Sequence, residues 1–62
     1  SLSKKDFIFR IQICRKEAKE SAYWLKLINE TNRLENKQLA ESLIREATEL
    51  KKIFSAIIEK SK

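Results

Sequence analysis

The 62-residue chain has no glycine, no proline, no histidine and no methionine, and it carries one cysteine, one tryptophan and one tyrosine. Tight turns and sheet corners draw on glycine for positive φ and on proline for a preset φ, so a many-stranded architecture would have no turn residues to work with. A single cysteine cannot close an internal disulfide, and without histidine the usual structural zinc site is out of reach. No apolar run approaches the roughly 18 residues of a membrane span, and no signal-peptide pattern opens the chain. A lone cysteine without an export signal fits the reducing cytoplasm. A chain this short buries only about 60% of its unfolded surface. With disulfide and metal removed, association with further helices is the remaining route to stability.

What is present favours helix. Alanine, leucine, glutamate, lysine and isoleucine dominate, and all but isoleucine are strong helix formers. Charged residues make up 37% and apolar ones 42%, a mixture too apolar for a disordered chain. The net charge of +5 suits an anionic partner through counterion release, and it serves equally well to keep a small helical protein in solution.

Ser3-Lys4-Lys5-Asp6 reads as a helix start. The Ser3 hydroxyl can accept from a backbone N–H two or three residues on, and Asp6 places a negative charge in the first turn. From there Phe7, Ile11, Cys14, Ala18, Ser21, Leu25 and Ile28 step by 4, 3, 4, 3, 4, 3, a heptad seam with Ser21 as its polar member. Ile8 and Ala22 widen it on one side. The helix is expected to run from about residue 4 to 31, ending where Asn29, Thr31 and Asn32 favour caps and turns. A link over about 32–35 follows, with Asn32 as the residue to turn the chain and Leu34 as a plug over the core. The second helix, about 36–60, starts on Glu35 or Asn36. Its seam is Asn36, Ala40, Leu43, Ala47, Leu50, Phe54 and Ile57, with Leu39 and Ile53 on one flank and Ile44 and Ile58 on the other. A short link implies antiparallel neighbours. The expected architecture is therefore all-α: an antiparallel helical hairpin of two long helices. It would form part of a four-helix bundle, either by self-association or with a missing N-terminal half.

The stretch from Lys16 to Ile28 divides among several faces. At 100° per residue, Phe9, Ile13, Trp24 and Leu27 gather on the side of the first helix roughly opposite its seam. A helix that is apolar on two sides has a second neighbour, so these residues are the candidate oligomer contact. Between the faces run Lys5, Gln12, Arg15, Lys16, Lys19, Tyr23 and Lys26, a stripe about 30 Å long at 1.5 Å rise per residue that is basic apart from Glu30 at its end. Helical charge stripes are commonly just solvated. A stripe of cations around a tyrosine also has the composition of a phosphate-backbone contact, which makes Lys5, Arg15, Lys16, Lys19, Tyr23 and Lys26 the nucleic-acid candidates.

Chemistry is poorly supplied. Glu17 and Glu20 are the only carboxylates placed to act together, and ion pairing accounts for them as well. Cys14 sits on the expected seam, where cysteine behaves as a small hydrophobe. No catalytic set, cofactor site, metal site or small-molecule substrate site is indicated.

Three segments carry a family resemblance: Ser3-Lys4-Lys5-Asp6-Phe7-Ile8; Lys16-Glu17-Ala18 through Glu20 to Tyr23-Trp24-Leu25; and Leu50-Lys51-Lys52-Ile53 with Ser55 and Ile57-Ile58. In these the chain resembles the C-terminal half of the four-helix bundle proteins related to the 23S rRNA intervening-sequence proteins. Tyr-Trp after spaced glutamates is its most specific part. Glu35-Asn36-Lys37-Gln38 is less acidic than that family's usual start to the last helix. The resemblance implies a bundle of about twice this length with two further helices ahead of this segment, small cytoplasmic proteins and no established activity. The function expected is that of a non-enzymatic, self-assembling interaction protein. The alternative is a sequence-tolerant RNA- or DNA-binding accessory protein that uses the basic stripe.

Overall fold

In the computed structural model, which describes residues 3–31 and 37–62, the chain folds into helix α1 (Lys4–Thr31) and helix α2 (Lys37–Lys60). The start of α1 is capped as its sequence predicts. Ser3 Oγ accepts from the Asp6 N–H at 3.1 Å, and the Ser3 carbonyl accepts from the Phe7 N–H at 3.0 Å. The Thr31 hydroxyl turns back to donate to the Leu27 carbonyl at 2.8 Å, the back-bond to residue i−4 that threonine makes within a helix. At the end of α2 the Ser61 N–H donates to the carbonyls of Ile57 and Ile58, and Lys60 stands in the last turn, where the helix dipole favours a cation. The expected turn at Asn32, the plug at Leu34 and the cap at Glu35 or Asn36 lie outside the described residues.

The helices lie antiparallel. Arg15 meets Ser55, Lys19 lies near Lys51, and Tyr23 and Lys26 border Ala47 and Thr48, so rising numbers on α1 face falling numbers on α2. The seam is made largely of alanine: Ala18, Ala22, Ala40 and Ala47 are buried, with Ile58 the most enclosed at 4% exposure. Methyl side chains let two backbones come close. Each also contributes little, about 0.8 kcal/mol per buried carbon group.

This seam is rotated from the one that the periodicity suggests. Residues 11, 18 and 25 of α1 face α2 as expected. Ile8, Arg15, Ala22 and Asn29 fill the alternate positions, while Phe7, Cys14, Ser21 and Ile28 are exposed. Helix α2 turns in the same way: Ala40, Ala47 and Phe54 stay, Ile44, Lys51 and Ile58 join them, and Leu43 and Leu50 are left exposed. Each helix is thus turned by about half of the 100° that separates successive residues. The reason lies in the width of the apolar faces. A single neighbour covers only part of such a face, and Ala18, Ala40 and Ala47 can meet it through either strip; the strip taken adds Ala22 and brings in Arg15 and Lys51 in place of Cys14 and Leu50. Cys14 is consequently exposed rather than a core residue, and Arg15 and Lys51 are half-buried.

The result is a rod of 45 × 16 × 14 Å with a radius of gyration of 14.4 Å. A compact chain of this length would have about 10.6 Å. Its accessible surface is 5273 Å², against about 4,200 Å² for a compact monomer of this mass. No large side chain is fully enclosed among the described residues.

Candidate interaction surfaces

The rotation gives the hairpin two unlike long faces. On one, α1 and α2 together line a groove. Gln12, Arg15, Lys16 and Lys19 meet Lys51 and Ser55 in its first part, and Lys19, Tyr23 and Lys26 meet Ala47, Thr48 and Lys51 in its second. Lys19 and Lys51 belong to both parts, so the groove is continuous. Among the described residues its cations are Arg15, Lys16, Lys19, Lys26 and Lys51, and no carboxylate lines it. Arg15 Nη1 lies 3.5 Å from Ser55 Oγ. Thr48 turns its hydroxyl to the Ile44 carbonyl at 2.9 Å. The ion pairs among the described residues, Lys52–Glu49 at 3.3 Å and Lys62–Glu59 at 3.1 Å, lie on the exposed surface of the C-terminal half. Neither involves a groove cation.

The structure therefore brings together Arg15, Lys16, Lys19, Tyr23 and Lys26 of the predicted stripe. Lys5 lines neither part: it borders an adjoining hollow near the start of α1 with Lys4, Ile8, Phe9 and Gln12, of which Gln12 also lines the groove. Sequence reasoning missed Lys51, Thr48 and Ser55, the contribution of α2. The spacing of Ile44, Ala47, Lys51, Phe54 and Ile58 carried the signal, since it puts a lysine at a seam position of that helix.

The other long face carries large apolar side chains, with Arg45, Glu46 and Glu49 beside Leu50 and Ile53. Because the groove takes one flank of each seam, the opposite flanks share the reverse side of the hairpin. Phe7, Cys14 and Ile28 come from α1, and Leu43, Leu50 and Ile53 from α2. The large members of this set are 40–52% exposed. At about 200 Å² for a large side chain, they leave roughly 400 Å² of apolar surface in water, within the range of about 300–600 Å² for the largest patch on a monomer, which is often functional.

The predicted oligomer contact, Phe9, Ile13, Trp24 and Leu27, lies on α1 away from α2, and all four side chains are exposed, Trp24 to 56%. Asp6 and Arg10 share a shallow hollow with Phe9 and Ile13. The Tyr23 and Trp24 rings meet edge to face, with centroids 5.5 Å apart and planes at 75°. This leaves the Tyr23 ring toward the groove and the Trp24 ring on the back of the helix.

Among the described residues no group of His, Cys, Asp and Glu could hold a metal ion, and no helix is long and apolar enough to cross a membrane. Among the described residues, Asn29 Oδ1 is buried without a hydrogen-bond partner. Compared with family models, with curated proteins and with solved structures, the chain matches none of them.

Proposed function

We propose that this chain is a non-enzymatic interaction module that self-assembles, with a second copy covering the apolar long face to complete a four-helix bundle. The observation that carries this reading is the surface excess: 5273 Å² exceeds the compact value by about 1,100 Å². A standard interface removes about 800 Å² from each partner, which would bring the chain close to that value. The face is suited to a copy of itself. Phe7 and Ile28 on one helix and Leu43 and Leu50 on the other offer large side chains to both halves of a two-fold pair, as an isologous contact requires. Phe9, Ile13, Trp24 and Leu27 would remain outside such a bundle and supply a second, smaller contact. The resemblance to the bundle proteins related to the 23S rRNA intervening-sequence proteins agrees with this architecture. In that family, however, a preceding pair of helices would supply the cover.

Sedimentation equilibrium of the chain at micromolar concentration tests the reading. The expected result is a mass of twice or more the 7.3 kDa of one chain, together with helical circular dichroism. A helical monomer would overturn it. An unfolded monomer that becomes helical only with a separate helical pair would show that the cover is another segment and not a second copy.

A further inference from the structure

The groove on the opposite long face is the other feature that the fold alone does not explain. Seam positions of a hairpin ordinarily carry apolar residues, yet Arg15 and Lys51 occupy them, half-buried. Lys16, Lys19 and Lys26 stand beside them with no carboxylate in the lining among the described residues. Like charges held close raise one another's energy, and none of these cations is paired with an acid among the described residues. An anion laid along the groove would relieve that repulsion.

From this we infer that the groove binds single-stranded nucleic acid, holding the phosphate backbone along Arg15, Lys19, Lys26 and Lys51 and stacking one base on Tyr23. From Arg15 to Lys26 the groove is about 17 Å long at helical rise, long enough for several phosphates. The Tyr23 ring is 60% exposed at its border, and an exposed ring beside a cationic groove is the arrangement by which single strands are held without regard to sequence. Gln12 and Ser55 add neutral hydrogen-bonding groups to the lining. A lipid surface fits less well. Membrane-surface helices set bulky apolar side chains against their cations, whereas Ala22 and Ala47 are the apolar residues of this groove. Because the groove and the apolar face lie on opposite sides, the inference does not depend on self-association.

The test is fluorescence anisotropy of a dye-labelled oligothymidine of about 20 nucleotides with the full chain, titrated at several salt concentrations between about 50 and 200 mM. Binding is expected to weaken with salt at a log–log slope of about −0.7 for each phosphate neutralised, so near −3 overall. The double substitution Lys19→Gln with Lys51→Gln should cost at least about tenfold in affinity and flatten the slope by about 1.4. Lys16→Gln with Lys26→Gln, both fully on the surface, repeats the test without touching the seam. Arg45→Gln removes one charge from the far side of α2 and should change affinity by less than about twofold, as expected for a charge outside the site. Tyr23→Ala should lose several-fold and Tyr23→Phe should not. Absence of binding at the lowest salt, or an equal loss from Arg45→Gln, would overturn the site. Tighter binding to phosphatidylserine vesicles than to the oligomer would assign the groove to a membrane instead. A silent Tyr23→Ala together with equal affinity for duplex would overturn the single-strand assignment.

Discussion

Ala22 and Ala47 are buried on the seam while Ser21, one residue before Ala22, is exposed. This neighbouring pair gives a direct check of the helix rotation. Ala22→Leu forces a branched side chain between closely spaced backbones and should cost about 1–3 kcal/mol, read as a drop in thermal midpoint. Ser21→Leu lies on the apolar long face and leaves the hairpin's own seam intact, so it should not lower the thermal midpoint. The reverse ranking would restore the seam through Cys14 and Ser21 that the heptad spacing suggests. Ser3 is a second residue whose role is defined by geometry. Its hydroxyl satisfies the Asp6 N–H, so Ser3→Ala should cost about 1 kcal/mol, with faster amide exchange confined to the first turn of α1. The cap was legible in sequence because capping is local: the donor and the acceptor are three residues apart. The rotation was not, because Phe7, Ile8, Ile11 and Cys14 form one apolar face too broad for spacing to say which strip meets the neighbour.

At the scale of the element, α2 shows a conflict between packing and charge. Ile44, Ala47, Phe54 and Ile58 line its inner side, and Lys51 interrupts them. A long side chain there covers the seam with its methylenes while its ammonium reaches the groove. Lys51→Leu should therefore raise the thermal midpoint of the hairpin by a few degrees, corresponding to about 1 kcal/mol for a domain of this size. The same variant should weaken oligothymidine binding. Stabilisation accompanied by loss of binding is the pattern of a residue kept for function against the demands of packing. If Lys51→Leu lowers the midpoint, the lysine is there for stability. Helix α1 was the more informative of the two in sequence, since its cationic stripe, its back face and its cap could all be read from one helix. The α2 half of the groove could not, because Lys51, Thr48 and Ser55 acquire a shared purpose only when Arg15 and Lys19 lie across from them.

For the whole molecule the question is which surface meets a second copy. Leu50→Lys places a charge in the middle of the apolar long face and should convert the assembled species to a monomer. The expected shift is at least about a hundredfold in dissociation constant, or about 3 kcal/mol, in sedimentation equilibrium. Trp24→Ser removes the largest side chain from the back of α1 and should leave the first association step unchanged. Assembly sensitive to Trp24→Ser and indifferent to Leu50→Lys would mean that copies meet back to back on α1, the contact that helical spacing first suggested. Leu50→Lys also leaves the groove untouched, so its oligothymidine affinity per chain should stay within a few-fold of the parent.

By itself, the order of residues determined that this protein is helical, where α1 begins, and that the chain carries more apolar surface than one hairpin can cover. Those properties follow from propensity, capping and periodicity, which act within one turn or one helix. Only the tertiary structure decided which strip of each apolar face is spent on the hairpin. Ala18, Ala40 and Ala47 would lie on either strip, so the spacing within one helix leaves that choice open until the two helices pack together. The same choice turned Cys14 outward, drew Arg15 and Lys51 into the seam, and separated a cationic groove from an apolar face on opposite sides of a single rod.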